Sequence, residues 1–551
     1  MNAFLFVVVA VSFLSGCAVE PLSIRESGVS GLPLIDNLNV RYQRQTGECT
    51  DGTPAYYCSG VMLRTTNYSS SYPFWTHSPG AKALGSLTFS YIRSDIGTNG
   101  SDIGSGFIFS DQETAVAQNK APVVRCIYPF MAGTQNAQRP GFGCGFAPTS
   151  ALRIDDQSTC ATLATPAITA ELWIENFRRF GSNIRSQCSL STQVASQFQA
   201  SLQAHNGVDA AHTATRNELL IATWPEETPE ELPIEAFFYN ASLGGLLNAQ
   251  SLRHAYALKT SLRLPIVRVD FSVADRNIFS LREADQVDGW DVAAELNARY
   301  NDLTYECAGQ AAYYCNGVLA RMVGYGAGFH SWNPNPSSKT AVSFSFWRRD
   351  MKMTHAVYGG AAEQGFVFRQ AEYYGTQGIY PLVLLCSFPY DGGTSIRADK
   401  GCGDTPGYFP VTSRPCSQQG INTVAAWSAH YFSQPVEGAK RFYHQCGFES
   451  DQEGFALSLL SRVDPQAELP SHQHNEVLID TWPQNSQALP IEAFIYIYDQ
   501  SRMLAGLAGA QFIQKDYYRE NRIAVPVVSV AFRTGGANIF SYHPSDQAIS
   551  Y

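Results

Sequence analysis

The chain has 551 residues, with 38 Lys and Arg against 48 Asp and Glu, a formal charge of −10 and a sequence pI near 5.6. That acidic balance, with only 16% charged residues, leaves no basic surface for nucleic acid, and no nucleic-acid partner is expected. Aromatics at 12% and 44 glycines fit a compact, loop-rich, β-containing secreted protein.

The first element is MNAFLFVVVAVSFLSGC (residues 1–17), an apolar run too short to span a bilayer that ends in small residues before Cys17. It reads as an export signal. Its end, LSGC, resembles the lipobox of bacterial lipoproteins, in which the cysteine becomes the acylated N-terminus, although no Lys or Arg precedes the apolar run. The resemblance implies a lipid anchor at Cys17 as the contact with a membrane, and Ala18 implies outer-membrane sorting in a diderm bacterium. Ordinary cleavage would give a secreted protein instead. Residues 18–34, with their Gly, Ser and Pro, are expected to be a tether.

From there the sequence is written twice. LNVRYQRQTGECTDGTPAYYCSGVMLR (38–64) matches LNARYNDLTYECAGQAAYYCNGVLAR (296–321) with one residue deleted. The pairing continues through LTFSYIRSD (87–95) and VSFSFWRRD (342–350), then NELLIATWP (217–225) and NEVLIDTWP (475–483). LPIEAFFY (232–239) pairs with LPIEAFIY (489–496), and NIFSLREADQ (277–286) with NIFSYHPSDQ (538–547). Two modules follow, 35–286 and 290–551, each large enough for its own core and expected to pack on the other.

In module 1, short strands are expected at 60–65, 86–93, 106–110, 122–127, 218–223, 234–239 and 265–271, separated by Gly, Pro and Asn turns. Helices are expected at 166–180, where Pro166 opens a run with Ile168, Leu172, Phe177 and Phe180 at helical spacing, and at 191–206 and 246–260. Strands and helices do not alternate regularly. Each module is therefore expected to be α+β, with a mostly antiparallel sheet and several helices.

Of 13 cysteines, one is Cys17 and twelve fall in register between the modules: Cys49/Cys307, Cys58/Cys315, Cys126/Cys386, Cys144/Cys402, Cys160/Cys416 and Cys188/Cys446. An even, repeated set in an exported chain is a disulfide framework. Zinc competes, but no CxxC pair and no repeated histidine accompanies the cysteines, so no metal is expected. Six cysteines allow 15 connectivities, and sequence proximity favours 49 with 58, 126 with 144 and 160 with 188.

A shared activity needs residues present in both modules, and none of the 11 histidines recurs, which excludes a shared Ser/His or Cys/His triad. What recurs is polar groups set in strands. Arg64 and Arg321 close the strands GVMLR and GVLAR; Thr88 with Ser90, and Ser343 with Ser345, put two hydroxyls on one strand face. By the same period Glu235 shares a face with Phe237 and Tyr239, and Glu492 with Phe494 and Tyr496. One reading is a partly buried ion pair that holds strand register. The other is a cleft where arginine and serine hold a phosphorylated ribose ligand and the glutamate acts on it, since a guanidinium fork binds phosphate bidentately.

Segments of the form YYCxGVxxR, FHSWNPxP, SFSFxRxD, NExLIxTWP and LPIEAFxY resemble halovibrin, a family of secreted bacterial NAD glycohydrolases formerly described as ADP-ribosyltransferases. The order arginine strand, aromatic loop, hydroxyl strand and glutamate strand is also similar to the R-S-E class of ADP-ribosylating enzymes. Two features depart from that class: Pro233 and Pro490 stand two positions before the glutamates, and the glutamates lie about 145 residues beyond the serines.

The resemblance implies NAD as substrate with no cofactor, and Glu235 and Glu492 as the catalytic carboxylates beside an oxocarbenium-like state. It implies NAD contacts from Arg64, Thr88 and Ser90 in module 1 and from Arg321, Ser343, Ser345, His330 and Trp332 in module 2. Module 1 has YPFWT where module 2 has FHSWN, so module 2 is the stronger candidate, and hydrolysis is preferred to transfer. The rival reading is a non-catalytic surface lipoprotein whose aromatic-rich modules bind a glycan or host protein, with Trp75/Trp332, Trp173/Trp427 and Trp224/Trp482 as the recurring rings. The export reading makes Cys17 the mature, acylated N-terminus; mass spectrometry of the N-terminal peptide checks it, and a free thiol there refutes it.

Overall fold

GVMLR and GVLAR are apolar at both parities, so the strands they form need cover on both faces. Val61 and Leu63 enter one core and Met62 another; Val318 and Ala320 are likewise divided from Leu319. The computed structural model describes residues 25–26, 31–68, 73–96, 103–132, 143–144, 159–181, 187–208, 216–240, 243–272, 277–304, 306–307, 310–311, 316–324, 330–334, 341–351, 363–369, 383–390, 402, 415–433, 445–450, 454, 475–484, 489–498, 503–532 and 538–548. Cys17 and the signal segment lie outside these residues.

The first module runs β1 (Arg25–Glu26), α1 (Gly31–Gln43), β2 (Val61–Thr65), α2 (Pro79–Leu84), β3 (Ser86–Ile92), β4 (Ser105–Phe109), α3 (Gln112–Ala117), β5 (Val124–Tyr128), α4 (Ala170–Arg179), β6 (Leu190–Ser191), α5 (Ala195–Asn206), β7 (Glu218–Ala222), β8 (Ile234–Asn240), α6 (Leu243–Thr260), β9 (Leu262–Arg263), β10 (Ile266–Val269) and β11 (Phe279–Ser280). The second runs α7 (Gly289–Asn301), β12 (Glu306–Cys307), β13 (Gln310–Ala311), β14 (Val318–Met322), β15 (Ala341–Trp347), β16 (Gln364–Phe368), β17 (Leu384–Phe388), α8 (Val424–Ser433), β18 (Phe448–Glu449), β19 (Glu476–Asp480), β20 (Ile491–Ile497), α9 (Met503–Asn521), β21 (Val527–Val530) and β22 (Phe540–Tyr542). Each module holds a nine-stranded sheet, in the order β11-β10-β8-β4-β2-β3-β7-β5-β6 and, equivalently, β22-β21-β20-β16-β14-β15-β19-β17-β18. All pairs within these two sheets are antiparallel except β8 with β10 and β20 with β21, which a long helix joins in each module. The α+β expectation is met, and every strand expected in module 1 has its counterpart.

The two faces of each sheet differ. One lies under α4, α5 and α6 and is rich in rings, among them Phe89, Phe107, Phe237, Trp173 and Tyr256; this aromatic face recurs in module 2 with Phe344, Phe366, Phe494, Trp427 and Tyr517. The other is aliphatic and lies under the module's first helix. Leu34, Ile35 and Leu38 of α1 cover Val61, Leu63, Ala236 and Val267, and Val292, Ala293 and Leu296 of α7 cover Val318, Ala320, Ala493 and Val528. Burying aliphatic side chains at such contacts contributes about 1.5–3 kcal/mol for each.

Two expectations are corrected. Residues 18–34 are not a plain tether: Arg25–Glu26 pairs in parallel with Leu262–Arg263, and α1 begins at Gly31. The helix expected at 166–180 begins after Thr169, whose hydroxyl caps Leu172 N–H, and it buries Ala170, Trp173 and Phe177 while Ile168, Leu172 and Phe180 face solvent. Trp173 decides the face, because its indole N–H reaches the Cys188 carbonyl at 3.1 Å. Five disulfides join sequence neighbours: Cys49–Cys58, Cys126–Cys144, Cys160–Cys188, Cys386–Cys402 and Cys416–Cys446. The remaining candidates, Cys307 and Cys315, have side chains outside the described set.

The modules meet where α7 starts. Asp288 caps it in a reciprocal capping box with Asp291, and these two carboxylates also pair with Arg253 and Arg263 of module 1. Between them Trp290 stacks on His254 at 4.0 Å with rings 4° from parallel, and meets the edges of Tyr68 and Tyr542. Burial lowers His254 from 6.5 to about 4, with Asp291 opposing and Arg253 and Arg263 assisting. A depressed basic group stabilises the fold fully above its unfolded value, and that part is lost as pH falls through the folded value. The urea midpoint is expected to hold above pH 6.5 and to fall toward pH 4. His254→Phe, which keeps a stacking ring but cannot titrate, should remove that part of the fall; an unchanged profile refutes the assignment.

Candidate functional site

The charge in PIEAF sits at a bulge. Ile108 pairs with Ala236 and Phe109 with Ile234, so Glu235 is an extra residue between two registered pairs. Around Glu492 the same happens, with Val367 opposite Ala493 and Phe368 opposite Ile491. An unbroken period would set Glu235 beside Phe237 and Tyr239, but the bulge cancels one step and turns it to the aliphatic face with Ala236. There Arg41 of α1 donates to Glu235, and Arg299 of α7 donates to Glu492. Asp111 stands 3.6 Å from Arg41, and Glu295 stands 3.4 Å from Arg299. The Glu492 side chain is 5% exposed. Burial pushes both glutamates above the usual carboxylate range, and the adjoining guanidinium pulls each partway back.

The arginines expected beside these carboxylates lie across the sheet. Arg64 is registered with Phe107 and Arg321 with Phe366, on the aromatic face. Arg64 Nη1 donates to the Thr88 carbonyl at 2.7 Å and its guanidinium carbon stands 5.8 Å from the centre of the Phe89 ring. Arg321 Nη1 donates to the Ser343 carbonyl at 2.6 Å. No carboxylate lies within ion-pair distance of either among the described residues. Crowding by protein lowers each guanidinium to about 10, helped at Arg64 by Arg216 and opposed at Arg321 by Glu476. The neighbouring strand must come close: a Cβ on Gly106 would meet the Arg64 carbonyl oxygen at 1.8 Å, and one on Gly365 the Arg321 oxygen at 2.0 Å.

The hydroxyls do not join the arginines either. Ser90 is registered with Leu63 and Ser345 with Ala320, so Thr88, Ser90, Ser343 and Ser345 belong to the aliphatic face. Ser90 is fully buried there, and its hydroxyl has no hydrogen-bond partner among the described residues. Three strand spacings, about 14 Å, separate these hydroxyls from the glutamates. The expected Arg, Ser and Glu cleft therefore does not form in either module.

Most other repeated polar groups hold backbone. Asn39 both donates to and accepts from Phe279, and Asn297 does so at Phe540. Asn217 clamps Tyr91 and Asn475 clamps Phe346; Gln286 clamps Ile266 and Gln547 clamps Val527. Arg93 and Arg348 each take an aspartate two residues on with two bonds and a backbone carbonyl with a third. The recurring tryptophans are also structural: Trp224 donates to the Trp75 carbonyl, Trp482 to that of Trp332, and Trp427 to that of Cys446.

What differs between the modules gathers at the aromatic loop. In module 2, His330 lies on Trp332, with ring centres 4.4 Å apart, and its Nδ1 is 2.6 Å from Asp516 Oδ2 on α9; Arg519 holds the other oxygen. In module 1, His77 replaces Pro334, and its backbone N–H and ring both reach Glu226. Burial lowers His77, opposed by Glu226, while Lys82 and Arg64 lower it further. Gln484, which stands where module 1 has Glu226, donates to the Pro334 carbonyl at 2.7 Å.

No family model and no curated protein matches the chain. The likeness to halovibrin therefore stands on the quoted segments alone.

If the glutamates serve the fold, Glu492→Gln leaves the buried Arg299 with only the solvent-exposed Glu295 as counter-ion and should cost roughly 3 kcal/mol in urea unfolding. Replacing both Arg299 and Glu492 by Met should recover most of that loss. An undiminished midpoint in Glu492→Gln would overturn the structural assignment.

Proposed function

We propose that the chain is an exported protein that binds a phosphorylated nucleotide, NAD first among them, at the margins of the aromatic faces of its modules, and cleaves the bond between nicotinamide and ribose. The observation that carries this reading is the guanidinium of Arg64 and Arg321, crowded by protein in both modules and free of any carboxylate partner among the described residues. A crowded cation without a counter-ion is costly unless an anion joins it, and a phosphate suits the planar fork. Arg64 also stands 5.8 Å from the centre of the buried Phe89 ring, a cation–π contact that orients the guanidinium from the core side. The five disulfides fit an oxidising compartment, in keeping with export. In this reading Glu235 and Glu492 are fold residues.

A non-catalytic lipoprotein that binds a glycan or host protein is the second reading. One observation favours it: the repeated carboxylates Glu235 and Glu492 pair with helix arginines, and the repeated Trp224 and Trp482 hold backbone carbonyls, so these candidates for chemistry or ligand contact serve the fold. Calorimetric titration with NAD and measurement of released nicotinamide separate the two. Arg321→Gln and Arg64→Gln should each weaken NAD binding at their own module by roughly 10- to 100-fold, the loss of one charge-assisted contact. Absence of NAD binding to the intact protein rejects the nucleotide reading and leaves the second.

A further inference from the structure

We infer that His330 and Asp516 form a proton-transfer dyad private to module 2, with His330 as general base toward water and Asp516 as the positioning residue; this rests on the nucleotide reading above. The geometry has three parts. Asp516 Oδ2 lies 2.6 Å from Nδ1, so that nitrogen carries the proton and donates, which leaves the Nε2 lone pair free to accept one. Arg519 grips the other oxygen of Asp516 from the next turn of α9, so the carboxylate is held on both sides. The ring itself is fixed by its stack on Trp332, 16° from parallel. Trp332 is 1% exposed and is anchored through its carbonyl to the Trp482 indole and edge-on by Tyr517.

The dyad is placed for use. The His330 side chain keeps 27% of its surface, so Nε2 has access to solvent. Trp482 leads from Trp332 to Phe344, with ring centres 6.3 Å apart, and Phe344 follows the residue whose carbonyl receives Arg321. These rings are buried, so they tie the loop that bears His330 through the core to the strand that faces Arg321. Module 1 lacks both members, having Pro73 and Ala255 at the equivalent positions. Its own His77 is 4% exposed with Nε2 buried, and cannot offer that nitrogen to a ligand.

In the step inferred, Nε2 takes a proton from water as the water oxygen forms its bond to ribose C1′. The C1′–N bond breaks with its electron pair passing to the pyridinium nitrogen, giving neutral nicotinamide. His330 then releases the proton to solvent, so NAD and water become ADP-ribose, nicotinamide and a proton.

The test compares the intact protein with His330→Ala, His330→Gln and Asp516→Asn, measuring NAD affinity, turnover against pH, and the urea midpoint. His330→Ala should lose about 100-fold or more in turnover with affinity unchanged, and added imidazole should restore part of the rate. Asp516→Asn should lower turnover and alter the acid limb of the pH profile, with Arg519 the other charged group bonded to the dyad. His330→Gln keeps an N–H for Asp516 and guards against a folding defect; it should match the native midpoint yet stay inactive. Turnover that survives in His330→Ala and His330→Gln overturns the dyad and leaves the nucleotide reading intact. NAD binding by the intact protein without turnover overturns the dyad and the cleavage it serves but leaves nucleotide binding standing, whereas no binding overturns all three.

Discussion

The ion pair between each module's first helix and its glutamate strand sets the rest of the architecture. Arg41 and Glu235 are 194 residues apart, and Arg299 and Glu492 are 193 apart, so the contact closes nearly the whole module on itself. It also accounts for the bulge. An extra residue in a ladder has no registered partner, and its side chain is free to leave the pleat. Here it leaves toward a guanidinium that the helix cannot otherwise bury. A lone charge beneath α1 or α7 would cost several kcal/mol, so helix and bulge stand or fall together.

Because that pair closes the aliphatic face, the proposed ligand site falls at the margin of the other one. The carboxylates that α1 and α7 cover are out of reach of a ligand, and Ser90 is sealed on the same face, three strands away. On the aromatic face the rings fill the core but leave cations at its margin. The amide clamps reinforce this division. Each of Asn39, Asn217 and Gln286 extends hydrogen bonding past the end of a strand, and each has its duplicate in module 2. Segments that look like a signature of activity in the sequence are, at these positions, side chains standing in for backbone.

The repeat, the strands and the cysteine neighbours were legible because each rests on local pattern. The site was not, and the reason is parity. Reading Glu235 onto the face of Phe237 assumes an unbroken period of two, and one inserted residue reverses the conclusion for every side chain before it. Nothing local in LPIEAF marks the bulge. The partner was visible in principle, since LNVRY and LNARY repeat Arg41 and Arg299, but a contact across some 190 residues has no spacing rule. Helix α4 failed similarly: Ile168, Leu172 and Phe180 keep helical spacing, yet the indole of Trp173 had a buried carbonyl to reach, and that bond turned the helix.

The two modules share a fold but divide at the aromatic loop, where the substitutions are coupled. His77 offers a backbone N–H and meets the acceptor Glu226; Pro334 has no N–H, and there Gln484 supplies a donor to the proline carbonyl instead. Either solution fastens the loop to the residue after the TWP turn. The histidine is thereby not needed for fastening in module 2, and at His330 it stands four residues earlier, outside the core, with Asp516 behind it. A loop secured independently of its histidine can place that ring at the surface without loss of order, which is the condition a proton-handling group requires.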